Sequence, residues 1–192
     1  ALGFALSEGI LDHARDCRGI SLHPADATAA HLPEGVAGVE AHLEISARSF
    51  ERLKHRRRSM AGRTGCGVCG VESFAALDLT PVRLPPRDWA QQVDLPAVLR
   101  AFAGLQAHQP HNALSGSLHA AGWALLDGTL AHVCEDVGRH NALDKLIGRL
   151  ARQERLAEPG FVALSSRGSH ELVRKCARVG LAALATISAP TA

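Results

Sequence analysis

Two cysteines in a glycine-rich stretch are the residues whose types and spacing most directly suggest chemistry. Cys66 and Cys69 stand two residues apart in "GRTGCGVCGVES", among glycines at positions 62, 65, 67 and 70. Such a pair can be half of a zinc site, a redox dithiol, or a nucleophile that carries a group. Arginines at 56–58 and 63 would favour the thiolate form, which is the nucleophile. The motif alone leaves these readings open.

The rest of the chain bears on each reading. A structural zinc site needs four ligands. Cys17, Cys134 and Cys176 are isolated in the sequence, and no two histidines near the C-x-x-C pair have the spacing of zinc ligands. A thioredoxin-type dithiol opens a helix after a buried strand, and this pair lies in a glycine loop instead. We interpret the loop as one that moves a thiol between two reaction partners. A loop with two inert thiols is the alternative.

A second polar segment, "CEDVGRHNALDKLIG" at 134–148, lies between a predicted strand and a predicted helix. The N–H groups at a helix start favour anions, and the edge of an open α/β sheet is where ligands bind. Glycine permits close backbone approach and arginine can grip a phosphate or carboxylate with two hydrogen bonds. The candidate ligand-binding residues here are Gly138, Arg139, His140, Asn141 and Lys145. A capped helix with an exposed polar turn is the alternative.

The segment "SSRGSHELVRK" at 165–175 repeats this arrangement of strand, polar turn and helix. Backbone N–H groups and hydroxyls there could surround a phosphate. The candidates are Ser166, Arg167, Gly168 and Ser169. Two such turns in successive strand–helix units predict one shared site, because both can face the same edge of the sheet.

His119 opens a predicted strand, and we interpret it as a hydrogen-bonded structural residue. Nucleobase deaminases hold zinc with H-x-E followed by P-C-x-x-C. Here the triplet is His-Ala-Ala and the C-x-x-C precedes it, so the general acid/base is missing. Deaminase chemistry is therefore disfavoured, and we expect no bound metal.

Length and composition limit the class of protein. The 192 residues suit a single domain, and 46% hydrophobic with 21% charged residues is ordinary for a globular protein. A net charge of +2 and few aromatic residues argue against nucleic-acid binding. No run approaches the ~18 apolar residues of a membrane span, and the opening lacks a signal peptide. Five cysteines, an odd number, favour a reducing, cytoplasmic setting. Both ends look cut.

The N-terminal part, 1–79, contains the C-x-x-C loop. Apolar spacing predicts a helix over 1–16, and glycine and proline predict irregular structure over 17–38. Alternation in "VEAHLEIS" predicts a strand, and "SFERLKHRRRS" predicts a helix. Prolines make 80–94 a connector.

The second part, 95–192, predicts a layered α/β domain. Asp94 caps a helix that begins with "LPAVLRAF", and Asp127-Gly128 predicts a hairpin between two apolar runs. A helix capped by Asn141 follows, then the buried strand "FVALSS", a helix from Ser169 to Gly180, and the buried strand "LAALATIS". This order predicts a mixed sheet with parallel members and helices on its faces.

The motifs "GRTGCGVCG", "HAAGWALL", "EDVGRHNALDKLIG" and "SSRGSHELVRKCARVGLAALATISAPT" together resemble the formate dehydrogenase accessory sulfurtransferase family, FdhD. "GFALSEGI" and "LKHRRRS" are also similar to that family, so the resemblance spans nearly the whole chain as one domain. It implies a cytidine-deaminase-like α/β fold without deaminase activity. We expect family segments to be missing at both ends.

The resemblance also implies a function. A cysteine desulfurase would hand sulfur to Cys66 as a persulfide, with Cys69 assisting. The sulfur would pass to the molybdenum (or tungsten) bis-guanine-dinucleotide cofactor destined for formate dehydrogenase, and the protein would form a homodimer. The alternatives are a chaperone that binds the cofactor without transferring sulfur, and a small zinc-binding protein of deaminase-like fold.

Overall fold

A four-stranded mixed sheet and a two-stranded ribbon occur in the described residues of the computed structural model. It describes residues 1–26, 35–60 (55–60 by their backbone alone) and 83–190. The strands are β1 Cys17–Pro24, β2 Val39–Ile45, β3 His119–Ala124, β4 Leu130–Asp136, β5 Phe161–Arg167 and β6 Leu184–Ser188. The α-helices are α1 Leu2–Ser7, α2 Ala47–Met60, α3 Leu95–Leu105, α4 Pro110–Ser115, α5 Arg139–Arg152 and α6 His170–Arg178.

The strand order β4-β3-β5-β6 gives the main sheet its mixed character. β3 is antiparallel to both of its neighbours, and β5 and β6 are parallel. β4 and β5 therefore point the same way, and α5 connects them across β3. α6 connects β5 to β6. The predicted α/β class, with a mixed sheet and helices on its faces, is confirmed.

Period-two alternation in the strands builds a core on each face of the sheet. Ala121 and Trp123 of β3 point to the face covered by α1, α5 and α6. Ala120 and Ala124 point to the opposite face, against α3. Both turns predicted to bind a ligand thus lead into helices on one face.

The hairpin between β3 and β4 and the cap of α3 are confirmed. Gly128 has φ +88°, and a Cβ there would lie 2.1 Å from the backbone oxygen of Ala97. Glycine is therefore the residue that this turn needs. The carboxylate of Asp94 accepts a hydrogen bond from the backbone N–H of Ala97 at 2.8 Å, as expected of an N-cap.

The N-terminal predictions need two corrections. The helix predicted over 1–16 ends at Ser7, where the chain turns through Gly9 with φ +69°. The segment predicted to be irregular over 17–38 contains β1, which pairs with β2 as Ile20 opposite Leu43 and Leu22 opposite Ala41. The strand depends on this pairing, which local glycine and proline content does not reveal. The β2 strand and the helix that follows it are confirmed.

Two predictions in the second half also need correction. β6 is an edge strand with Ile187 61% exposed, and is not fully buried like β5. The predicted connector contains a short 3₁₀ helix, Asp88–Gln92. Residues 80–82 of that connector and the C-x-x-C loop at 62–70 lie outside the described residues.

Candidate functional site

The two polar turns lie at the same edge of the main sheet. The carboxyl ends of β4 and β5 point to this edge, and the start of β3 lies between them because β3 runs the other way. His119 opposes Asp136 on β4, and the backbone N–H of Ala120 donates to Ser165 Oγ at 2.8 Å. The sheet thus brings together the two sets of residues predicted from separate motifs. It also places His119, interpreted from sequence as structural, between them.

Asp136 organises the first turn. One of its carboxylate oxygens accepts hydrogen bonds from the Gly138 backbone at 2.9 Å and from Asn141 Nδ2 at 3.2 Å. The other lies 2.7 Å from Lys145 Nζ. Burial acts against ionisation, yet these interactions lower the pKa of the Asp136 carboxyl. The turn is therefore held in shape by a carboxylate that sequence reasoning did not single out.

These contacts correct the role assigned to Asn141 and define that of Lys145. α5 begins at Arg139 with Gly138 as its N-cap, so Asn141 is not the cap. Its amide braces the turn through Asp136 instead. Lys145 Nζ also donates to the backbone oxygen of Glu135 at 2.8 Å, so its charge is engaged within the protein.

Arg139 and His140 differ from their neighbours in the same turn. Arg139 Nε and His140 Nε2 are buried and have no hydrogen-bond partner among the described residues. Burial lowers the pKa of His140, and the positive charge of Arg139 adds to the effect. Buried polar atoms usually have partners, so these two nitrogens are candidates to bind a ligand at this turn.

The second turn is compact. Ser166, Gly168 and Ser169 are buried, whereas Arg167 is exposed. Ser166 Oγ donates to the Arg167 carbonyl at 3.2 Å, and Ser169 is the N-cap of α6 as predicted. A Cβ on Gly168 would lie 3.3 Å from the Thr186 side chain. Arg167 is thus the one exposed cation of this turn.

A buried ion pair fixes the two helices beneath these turns. Lys175 Nζ of α6 lies 2.9 Å and 3.0 Å from the two carboxylate oxygens of Asp144 on α5. It also contacts Ser7 Oγ at 2.9 Å and Glu8 Oε1 at 2.8 Å, and Ser7 donates to Asp144 at 2.6 Å. Sequence analysis missed this cluster. The sequence signal that could have indicated it is one charged residue within the otherwise apolar face of each helix, Asp144 in α5 and Lys175 in α6.

The same two helices place a histidine and a glutamate near each other one turn closer to the edge. His140 is one turn before Asp144, and Glu171 is one turn before Lys175. Burial lowers the pKa of His140 and the Glu171 carboxylate opposes that change, while His140 in turn helps to lower the pKa of Glu171. Glu171 was also missed, since an acidic residue in the first turn of a helix is ordinary.

Burial disfavours the thiolate form of two of the three cysteines in the described residues. Burial raises the pKa of Cys134, and raises that of Cys176 to about 12. Cys17 is half-buried, and its Sγ lies 3.5 Å from the Gly19 carbonyl oxygen. Cys66 and Cys69 lie outside the described residues, so their roles remain predictions.

The described residues lack both a metal-binding cluster and a membrane-spanning helix. The described side chains, those of residues 1–26, 35–54 and 83–190, contain no group of three histidine, cysteine or acidic residues that could hold a metal ion. Within them, every helix is too short or too polar to cross a membrane.

Comparison with known proteins decides the family. The model of the FdhD/NarQ family matches residues 1–192. The chain belongs to this family. It is 50% identical over 193 residues to a protein named sulfur carrier protein FdhD from Burkholderia cenocepacia, covering 100% of this chain and 66% of that protein. A protein of the same name from Chromobacterium violaceum is 50% identical over 191 residues, with 100% and 67% covered.

A solved structure supports the fold. It is described as a formate dehydrogenase accessory protein from Desulfotalea psychrophila and superposes with a TM-score of 0.59 at 21% identity. The match covers 99% of this chain and 64% of that chain. This FdhD/NarQ family member thus spans about two thirds of the length of the relatives that it matches.

Proposed function

We propose that this protein is a sulfur carrier that receives sulfur from a cysteine desulfurase and delivers it to the molybdenum bis-guanine-dinucleotide cofactor of formate dehydrogenase. The observation that carries the proposal is the whole-chain match to relatives named sulfur carrier protein FdhD. The proposal includes a cytoplasmic location, the cytidine-deaminase-like fold and a homodimer.

Cys66 would be the acceptor. Its thiolate would attack the outer sulfur of the desulfurase persulfide, forming a new S–S bond as the old one breaks, and the desulfurase cysteine would leave as a thiolate. This exchange needs no external oxidant or reductant. The low nucleophilicity expected of Cys134 and Cys176 supports the assignment, because burial disfavours their thiolate forms. Cys69 would assist.

The cofactor is the substrate of this protein, and the sheet edge is where we place it. The candidate residues are Gly138, Arg139, His140, Asn141, Lys145, Ser166, Arg167, Gly168 and Ser169. The unpartnered nitrogens of Arg139 and His140 fit a polar ligand at this edge. Asn141 and Lys145 would act indirectly, since both brace the turn through Asp136.

Intact-mass spectrometry tests the sulfur-carrier proposal. The chain is incubated with a cysteine desulfurase and cysteine, and then measured before and after reduction. We expect a gain of one sulfur that is lost on reduction and absent in Cys66→Ala, while Cys134→Ala still gains it. Loading that persists in a folded Cys66→Ala protein would reject Cys66 as the acceptor.

A cofactor chaperone that transfers no sulfur is a second candidate. The observation in its favour is that the ligand-binding features at the sheet edge involve no cysteine. Under this alternative, replacing both Cys66 and Cys69 by alanine leaves maturation of formate dehydrogenase intact. The third alternative, a zinc protein, predicts about one zinc ion per chain by elemental analysis.

A further inference from the structure

The turn that joins α5 to β5, residues 153–160, lies over a buried tryptophan of the main sheet. The Leu156 side chain of this α5–β5 turn packs against the core. A Cβ on Gly160 would lie 2.6 Å from Trp123 Cζ2 and 2.9 Å from its Cε2, so the Gly160 backbone lies directly on the indole ring. Trp123 is 1% exposed, and its Nε1 has no hydrogen-bond partner among the described residues. The α5–β5 turn is therefore part of the cover over this ring.

A histidine of β4 that must be neutral attaches the α5–β5 turn to the sheet. His132 lies opposite Trp123 in the pairing of β3 with β4, and its Nε2 lies 2.8 Å from Arg155 Nη1. A guanidinium has only donors, so Nε2 accepts this hydrogen bond with its lone pair and carries no proton. Arg155 Nε also donates to Glu158 Oε2 at 2.7 Å, which holds the arginine within the turn.

The α5–β5 turn depends on such an attachment because part of its backbone is strained. Glu154 has φ +58°, and a residue with a Cβ adopts this left-handed conformation at a cost in free energy. The backbone N–H of Arg155 donates to the Leu150 carbonyl at 2.9 Å, and that of Glu158 donates to the Arg155 carbonyl at 3.1 Å. These bonds shape the turn without attaching it to the sheet, whereas the bond from Arg155 to His132 joins the two.

The groups around His132 determine how its protonation acts. The side chains nearest to it are Cys134 two positions on in β4, Trp123 of β3, Arg149 of α5, and Gln153, Arg155 and Glu158 of the α5–β5 turn. Burial and the positive charges of Arg149 and Arg155 lower the pKa of His132, whereas Gln153 and Glu158 oppose this change. Protonation would remove the acceptor of Arg155 and place two cations 2.8 Å apart, where they repel each other.

We propose that His132, Arg155 and Glu158 form an acid-sensitive latch, which holds the α5–β5 turn over Trp123 while the imidazole is neutral and releases the turn when the imidazole is protonated. The stability of the closed form is present above the ordinary histidine pKa, and is lost as the pH falls through the lowered pKa of His132. α5 begins in the first candidate ligand turn and ends at the latch, so release would loosen the helix at its far end. The inference goes beyond the proposed function, since it requires neither sulfur nor the cofactor.

Acrylamide quenching of Trp123 fluorescence between about pH 8 and about pH 5 tests the latch. Trp89→Phe leaves Trp123 as the single tryptophan of the chain. The same protein is then made with His132→Gln, with Arg155→Met, and with the control His23→Gln, which replaces an exposed histidine of β1. Glutamine offers an oxygen acceptor near the position of Nε2 and does not titrate. Far-UV circular dichroism at each pH reports whether the protein is folded.

With His132 present, we expect the quenching constant to rise at least about twofold as the pH falls below the ordinary histidine pKa of about 6.5, because the turn opens locally. His132→Gln should keep the low constant throughout, since the acceptor of Arg155 no longer titrates. Arg155→Met should have the high constant already at neutral pH, and His23→Gln should respond as the chain with both histidines does. If the whole chain unfolds in acid, His132→Gln should unfold at a lower pH.

Three results would overturn the inference. The first is a quenching constant that does not change with pH while His132 is present. The second is a response to acid, by quenching or by unfolding, that is the same in His132→Gln. The third is an Arg155→Met protein in which Trp123 is as well shielded at neutral pH as it is with Arg155. None of these concerns persulfide loading of Cys66, so failure of the latch is distinguishable from failure of the proposed function.

Discussion

Replacing Lys175 by methionine should lower the free energy of unfolding by about 3–5 kcal/mol. Lys175 is 6% exposed and Asp144 is 8% exposed, so the pair is shielded from water. Methionine fills a similar volume but leaves the Asp144 carboxylate buried with Ser7 as its remaining hydrogen-bond partner. An unpaired buried charge is costly, and this accounts for the large expected effect.

A double variant separates the ion pair from simple packing. Lys175→Met with Asp144→Leu removes both charges of the buried pair and leaves the partly exposed carboxylate of Glu8. Apolar replacement of a buried pair is often neutral. We therefore expect the double variant to be more stable than Lys175→Met alone. The control is Lys145→Met, whose ion pair with Asp136 involves a lysine side chain that is 55% exposed, so we expect a loss of at most about 1 kcal/mol.

Urea denaturation followed by the fluorescence of buried Trp123 measures these differences. Thermal unfolding should show a decrease of about 6–20 °C for Lys175→Met. Two results would refute the reasoning. The first is a loss below about 1 kcal/mol for Lys175→Met. The second is a double variant whose loss equals the sum of the losses measured for Lys175→Met alone and for Asp144→Leu alone, because a real interaction makes the two effects non-additive.

Further predictions concern packing, acid stability and thiol reactivity. In Gly3→Ala the new Cβ would lie 1.8 Å from the Asp144 carbonyl oxygen, so urea denaturation should show a loss of stability of about 3 kcal/mol or more. The control is Gly19→Ala, whose new Cβ would lie 3.4 Å from Glu44 Oε2, and we expect little change in its stability. A hydrogen bond with Arg52, stronger than the opposing effect of burial, lowers the pKa of Asp12. The stabilisation that ionised Asp12 contributes is present above the pKa of its carboxyl in the unfolded chain, and is lost as the pH falls through the pKa in the folded protein. The free energies of unfolding of the wild type and Asp12→Asn should therefore differ at pH 6 and converge in acid. A difference that stays constant with pH would contradict this. Because burial raises the pKa of Cys176 to about 12, mass spectrometry should find it alkylated by iodoacetamide at pH 8 only after unfolding.

His140 in the first turn of α5 and Glu171 in the first turn of α6 show what could not be predicted from the sequence. The motifs identified both turns, because polar residues between a strand and a helix are a local pattern. Whether two turns meet depends on strand order, which places β3 between β4 and β5. The proximity of His140 to Glu171 follows from that order.

Local physical chemistry determined the elements that sequence predicted correctly. Hydrophobic period and turn residues specify the β3–β4 hairpin around Gly128, the start of α3 at Asp94, and the buried strand β5. Each depends on residues within a few positions of one another. The C-x-x-C motif and the family resemblance likewise lie in the sequence itself.

Tertiary structure decided the rest, because the contacts involved join distant residues. β1 exists through pairing with β2, and α5 packs on α1 where Gly3 meets Gly148. Asp144 and Lys175, 31 positions apart, become one buried pair because α5 and α6 cover the same face of the sheet. Sequence therefore determined the residues that could act, and the fold determined which of them meet.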